Sequence, residues 1–419
     1  MAGPRRRDLI AGLGVVGAGA LAAGGVALAG GERPTRTARS DRVPFDGPHQ
    51  AGIVTPAQDQ LVFAAIDVTT TDASALADVL SRWTTAVRSM VEGVPVGGGE
   101  GGLAGAVGQP PADTGEAYEL PAANLTVTLG YGPSLFDGRF GLQDKRPAVL
   151  EELPALPGEQ LDPSRCGGDL ALQACADDPQ VAFHAVRNLL RIGRGVVALR
   201  WMQLGFGRTS STAEAQTTPR NLMGFKDGTA NLRAEDSASL GRWVFVGGAG
   251  APEPDQEWMR GGSYLVARRI RMLVESWDRA SLGEQERVVG RTKVSGAPLS
   301  APHGSEFAAL DLAATDAAGK PAIDLAAHVR LAAPETNGGQ RLLRRGYSYT
   351  DGMDPVTGQL DAGLFFLAYA NDPDGFVRIQ RRLGAHDGLT EYLKHTGSAV
   401  FAVPPGTAPG EDWGASLFA

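Results

Sequence analysis

A chain of 419 residues, 43% hydrophobic and 21% charged, is long enough for two domains and ordinary in composition for a globular protein. Its formal net charge of −8 argues against nucleic acid or an anionic membrane surface as a partner. The 2 cysteines, Cys166 and Cys175, form no Cys-x-x-Cys pair, which leaves a zinc ribbon or a thioether-linked prosthetic group without support.

The first residues read as an address. Arg5-Arg6-Arg7-Asp8 precedes an uncharged, Gly- and Ala-rich stretch that ends in the small-x-small site Ala27-Leu28-Ala29. Residues 1–29 therefore read as a secretory signal, and the arginine pair resembles the twin-arginine export signal. The stretch is also long enough for a membrane anchor, but its glycines and cleavage site favour removal. The expected destination is extracytoplasmic, periplasmic or secreted. Residues 30–55 read as an exposed leader. Export permits a disulfide between Cys166 and Cys175; Cys175 equally fits a buried thiol at the end of an apolar run.

From residue 56 to 223 the pattern runs β-α-β-β-α-β. Leu61–Val68 is an apolar, β-branched strand. Asp72 caps a helix with Leu76, Val79, Leu80, Trp83 and Val87 at helical spacing. A Gly/Pro-rich loop over 93–116 leads to a strand at Leu125–Leu129. A strand over Asp169–Cys175, a helix from Asp178-Pro179 to Arg191 and a strand over Gly195–Leu204 complete the unit. Residues 236–410 repeat the order. The strands fall at Tyr264–Val274, around Val329-Arg330-Leu331, at Leu364–Ala370 and at Ala399–Val403. The helices run over Trp277–Val289 and from Asp372-Pro373 to Leu383. Leu-Ala-Leu-Gln-Ala-Cys-Ala-Asp-Asp-Pro at 170–179 aligns with Leu-Phe-Phe-Leu-Ala-Tyr-Ala-Asn-Asp-Pro at 364–373. In each, a buried strand feeds an Asp cap and a first-turn Pro. The fold class expected is α+β: two ferredoxin-like units with antiparallel sheets, a duplication resembling a dimeric α/β barrel.

Between the halves, residues 224–235 contain Gly224-Phe225-Lys226-Asp227-Gly228-Thr229-Ala230-Asn231. Two glycines let the backbone turn tightly, so the segment can hold the Asp227 carboxylate against a bound group. Of the 6 histidines, His328 stands out in Ala326-Ala-His-Val-Arg-Leu331, ahead of Leu342-Leu-Arg-Arg-Gly-Tyr-Ser-Tyr349. Taken singly, these are turns and a strand of the kind found in a non-catalytic binding module.

Taken together and in this order, the three motifs resemble the dye-decolorizing haem peroxidases, over about residues 45–405. The twin-arginine-exported deferrochelatase/peroxidase branch is the most similar, and His49-Gln50-Ala51-Gly52-Ile53 and Ala176-Asp-Asp-Pro179 resemble it too. The resemblance implies one haem b per chain, with His328 as proximal iron ligand. It implies Asp227 on the distal side, moving a proton between the oxygens of bound peroxide. Arg344, chosen over Arg345 by the family spacing Arg-x-Gly-x-x-Tyr, would stabilise charge beside it. Gly228, Thr229 and Ala230 would lie against the haem, as would Ala333, Pro334 and Glu335. The Asn-Pro-Arg of some relatives is absent there, so Arg330 is the candidate for a propionate. The implied activity is reduction of hydrogen peroxide with oxidation of an organic, dye-like or aromatic donor. The alternative is release of iron from haem with the porphyrin intact, in concert with iron-uptake components. A homodimer is a further expectation. Tyr347, Tyr349 and the tryptophans are read as core aromatics before electron relays.

Overall fold

Alternation along the first strand sets the architecture. In β1 (Gln60–Val68), Leu61, Phe63 and Ala65 face one apolar cluster while Val62, Ala64 and Ile66 face another. A strand buried on both faces needs a layer on each side. The computed structural model, which describes residues 41–105 and 107–418, supplies helices outside and a closed barrel inside. The expected signal at 1–29 and the start of the leader, 30–40, lie outside the described residues.

After β1 come α1 (Ala73–Val91), β2 (Thr126–Tyr131), β3 (Leu170–Ala176), α2 (Pro179–Ile192) and β4 (Val197–Arg208). Asp72 accepts from the Ser74 and Ala75 amides at the start of α1, and Asp178 does the same for Gln180 and Val181 in α2. Trp83, fully buried, donates from Nε1 to Leu189 O at 2.7 Å and so ties α1 to α2. Next follow α3 (Ser237–Trp243), β5 (Ser263–Met272), α4 (Val274–Trp277), α5 (Leu282–Val289) and α6 (His328–Ala332). The remaining elements are β6 (Leu343–Arg344), β7 (Tyr347–Met353), β8 (Leu360–Ala370), α7 (Asp374–His386), β9 (Leu393–Val403) and a last helical turn, α8 (Ala415–Phe418).

The strands pair antiparallel in the order β5-β9-β2-β3-β1-β4-β7-β8, and β8 pairs back onto β5, closing an eight-stranded barrel. The β4–β7 junction pairs Phe206 with Ser348 and Arg208 with Tyr347. The β2–β9 junction rests on one register pair, Tyr131 with Ala402. A side chain completes it. Gln50 accepts from Leu129 N at 2.8 Å and donates to Leu129 O and Pro404 O at 3.0 Å each, bridging the gap as a strand would.

Two expectations are corrected. The segment around Val329-Arg330-Leu331 is the helix α6, where the Arg330 and Leu331 amides both donate to Ala327 O. One β-branched residue among alanines does not hold a strand. The strand awaited there is β6 with β7, one edge interrupted at Arg345-Gly346. The helix expected over Trp277–Val289 is two: α4 ends at Trp277, and Ser281 starts α5 by accepting from Glu284 N. Cys166 and Cys175 are both free thiols, Cys175 buried in the barrel. Among the described residues no helix is long and apolar enough to cross a membrane.

Candidate active site

The loop between the halves folds on itself before it meets anything else. Asn221 accepts from the Met223 amide through Oδ1, which turns its Nδ2 toward Asp227 Oδ2, 3.2 Å away. The Asp227 amide donates to Pro219 O at 2.9 Å. Gly228 then adopts φ +86°, and a Cβ there would sit 2.8 Å from Ser210 Cα. Only glycine allows both that turn and that approach. Asp227 is thus held from its backbone and from one carboxylate oxygen, with 14% of its side chain exposed.

The other carboxylate oxygen, Oδ1, accepts from Arg344 Nη1 at 2.8 Å. Strand geometry separates Arg344 from its neighbour, because successive side chains leave opposite faces. Arg345 is fully buried and donates to Thr55 O and Gln58 Oε1. Arg344 leans the other way, to the loop. Asn231 locks the two pieces together: its Oδ1 accepts from Arg344 N at 2.7 Å, and its Nδ2 donates to Arg344 O at 2.8 Å and Ser211 O at 2.9 Å. One buried amide therefore fixes the spacing between the loop that carries the acid and the strand that carries the arginine.

His328 opens α6. Its Nδ1 lies 2.6 Å from Oδ2 of Asp387, a carboxylate with 2% of its side chain exposed that also accepts from Leu389 N through Oδ1. Asp387 ends α7 and caps the following turn, so the acceptor is rigid. Burial pulls the imidazole pKa down. The Asp387 charge and hydrogen bond and the Asp227 charge outweigh it, against Arg344, and leave it above the ordinary value. Because Asp227 and Arg344 both act on this ring, the three side chains share one neighbourhood. A third of the His328 side chain, 34%, is nevertheless uncovered.

Around this set, Thr229 donates to Glu306 Oε2 at 3.0 Å, and Lys226 pairs with Glu306 Oε1. Burial raises the Glu306 pKa, but Lys226, Thr218 and Thr229 together bring it below the usual value, so it stays charged. Ala230 is exposed beside them. Arg330 commits Nε and Nη2 to Ile323 O and Nη2 to Leu312 O, bracing the loop before α6. Ala333 is buried, Pro334 half-buried and Glu335 exposed, on the turn after α6. Asn221, Glu306 and Asp387 escaped the sequence reading. An Asp at a helix end gives no local sign of facing a histidine in space. Asn231 lay inside the quoted motif, but its bonds to β6 span 113 residues.

Among the described residues, no group of three or more His, Cys, Asp or Glu is arranged to hold a bare metal ion. What exists is a single histidine with one nitrogen on a carboxylate. Nδ1–H donating to Asp387 leaves Nε2, which has no hydrogen-bond partner among the described residues, as the basic nitrogen. That donor set fits an axial ligand to an iron already held by a macrocycle.

Comparison with known proteins points the same way. Residues 50–207 match the family model described as Dyp-type peroxidase, N-terminal, and residues 218–408 the one described as Dyp-type peroxidase, C-terminal. A deferrochelatase from Yersinia pestis bv. Antiqua (strain Nepal516) is 39% identical over 420 residues, covering 97% of this chain and 92% of its own. The crystal structure of a DyP-type peroxidase from Streptomyces coelicolor superposes with a TM-score of 0.80 at 40% identity, covering 90% of this chain and 97% of that one. Ferric DtpA from Streptomyces lividans superposes with the same TM-score, identity and coverage.

Proposed function

The chain belongs to the Dyp-type peroxidase family and is a haem peroxidase, and from that premise we propose which of its residues bind and which act. His328 would hold the iron through Nε2, with Asp387 orienting the ring and raising its basicity. When bound, haem b supplies the redox centre: an iron that gives two electrons to hydrogen peroxide and recovers them singly from donors. Asp227 accepts a proton from one peroxide oxygen and returns it to the other, directly or through a water. Arg344, hydrogen-bonded to that carboxylate, stabilises negative charge as the oxygens part. Asn221 and Asn231 hold both groups in register. Gly228, Thr229 and Ala230 form the adjoining wall, and Ala333, Pro334 and Glu335 the wall beyond α6. The committed Nε and Nη2 of Arg330 make it a loop brace before a propionate partner.

The observation that carries this reading is the His328 Nδ1 contact with the buried Asp387 carboxylate at 2.6 Å, which leaves Nε2 uncommitted, together with the Asp227–Arg344 pair at 2.8 Å. Its test is the spectrum: a Soret band in protein expressed with ample haem, and weakened haem retention in His328→Ala. A colourless wild-type protein, or full retention in the variant, overturns it.

Hydrogen peroxide or haem is the substrate at the family level. The second reading, haem as substrate with iron released and the porphyrin intact, is supported by the name of the 39% identical relative. Incubation with haem separates the readings: free protoporphyrin fluorescence supports iron release, while dye oxidation without it supports the peroxidase alone. Further expectations remain proposals. Each half is a ferredoxin-like unit, 56–223 and 236–410; the same strand order in both supports duplication. Export by the twin-arginine route is supported by Arg5-Arg6-Arg7 and the stretch after it. Aromatic donors, iron-uptake partners and a homodimer follow from the resemblance.

A further inference from the structure

A basic hollow lies beside the His328 helix. A cavity of 570 Å³ opens between α7 and the turn after α6, lined by Thr336, Asn337, Arg378, Arg381, Arg382 and His386. The basic residues fall at i, i+3, i+4 and i+8, which puts them on one stripe of α7. Its opposite face, with Phe376, Val377 and Ile379, is in the core. A stripe of three guanidiniums and an imidazole stands out in a chain of net charge −8.

The charges are only partly answered. Arg378 donates to Asp374 at 2.7 Å and to Gln340 at 2.8 Å. Arg382 spends Nη1 on Thr336 O at 2.7 Å. Arg381 is exposed and has no hydrogen-bond or ion-pair partner among the described residues. Like charges three and four residues apart on a helix repel unless an anion lies between them. The floor is neutral: Asn337 Nδ2 donates to Leu331 O and Ala333 O, and Thr336 Oγ1 to Arg330 O, so both cap the end of the His328 helix.

We propose that this cavity binds a small polyanion carrying two or more carboxylate or phosphate groups. Guanidinium forks match the planar oxygen pairs of such groups two bonds at a time, which a single point charge does not exploit. The volume lies in the range of small-molecule pockets and exceeds what one inorganic ion fills. The size of the occupant follows from the rest of the surface: an acidic macromolecule would meet the field of an acidic chain, while a small anion meets only the stripe. None of the lining residues belongs to the Asp227, Arg344 and His328 set, so the site stands whether or not the haem reading holds.

Isothermal titration calorimetry on the full-length protein at low ionic strength tests it, with pyrophosphate and citrate as probes and benzoate as a monoanionic control. At least one polyanion is expected to bind, at least roughly tenfold more tightly than benzoate, with affinity that falls as sodium chloride is added. Pyrophosphate alone assigns a phosphate ligand, citrate alone a polycarboxylate, and both assign charge without further selection. Arg381→Gln, which alters an exposed side chain without a partner, is expected to weaken binding about tenfold. Arg381→Gln/Arg382→Gln is expected to abolish it, with the circular dichroism spectrum unchanged. Binding of neither polyanion, or binding undiminished in the double variant, overturns the proposal.

Discussion

The two halves of the barrel share a strand order, β4-β1-β3-β2 in the first and β9-β5-β8-β7 in the second, and differ in what lies between the strands. The first half covers its sheet with helices of 19 and 14 residues, and the apolar side chains they bury belong to the largest apolar cluster. In the second half the position of the long α1 is taken by α4 and α5, of 4 and 8 residues. There follows a stretch, 290–342, with no strand before β6. That stretch carries His328. Asp227 lies in the crossing between halves, Arg344 at a strand end and Asp387 just past a helix end. The regular half supplies packing, and the half that departs from it supplies chemistry on element ends that the barrel holds rigid.

If that division holds, substitutions in the two regions must have separable effects. The largest is expected at the acid. Asp227→Ala should lower the second-order rate with hydrogen peroxide by about 10²–10⁴ while haem content and melting temperature stay near wild type. Stopped-flow absorbance in the Soret region checks this, and an unchanged rate removes Asp227 from the chemistry. In the regular half, Trp83→Ala removes a fully buried indole and its bond to Leu189 O. It should cost about 3–5 kcal/mol in denaturant unfolding, with the peroxide rate of the folded fraction preserved. A loss of rate without a loss of stability would contradict the division. Asp387→Asn keeps shape but withdraws the charge facing His328, and should weaken haem affinity by about 10–100-fold, read by transfer of haem to apomyoglobin.

The sequence showed those features that depend on neighbours along the chain. Asp72 and Asp178 announced helix starts because a cap bonds amides two and three residues on. The match of 170–179 to 364–373 survives as β3 and β8, each feeding a helix: Asp178 caps α2 with Pro179 in its first turn, whereas α7 begins after Pro373 and Asp372 accepts from Asp374 N. The family resemblance selected Arg344 over Arg345, and the two side chains leave the strand on opposite faces, Arg344 to Asp227 and Arg345 to Thr55 and Gln58. What stayed hidden depends on distant chain. The Nδ1 partner of His328 lies 59 residues away, and at the β2–β9 junction Gln50 bonds to Leu129 of β2 and to Pro404 just past β9. The Val329 segment misled because five residues carry too little periodicity to tell a helix from a strand.

Each half also buries a histidine. In the first half, His184 Nε2 meets the Asp113 carboxylate at 2.9 Å. In the second, His395 on β9 finds Gln380 at 3.2 Å through one ring nitrogen, and its Nδ1 has no partner. Burial, and then the charge of Arg268, push the His395 pKa down to about 3. The folded-state pKa lies below the unfolded value of about 6.5, so between those values the unfolded chain binds more protons. Stability from this group is therefore complete above pH 6.5 and is lost as pH falls toward 3, at up to about 1.4 kcal/mol per pH unit. His395→Gln keeps a polar side chain beside Gln380 and removes the titration. Its unfolding free energy, measured by urea titration from pH 7 to pH 4, should fall less steeply than that of wild type. Equal slopes would mean that the acid sensitivity lies elsewhere.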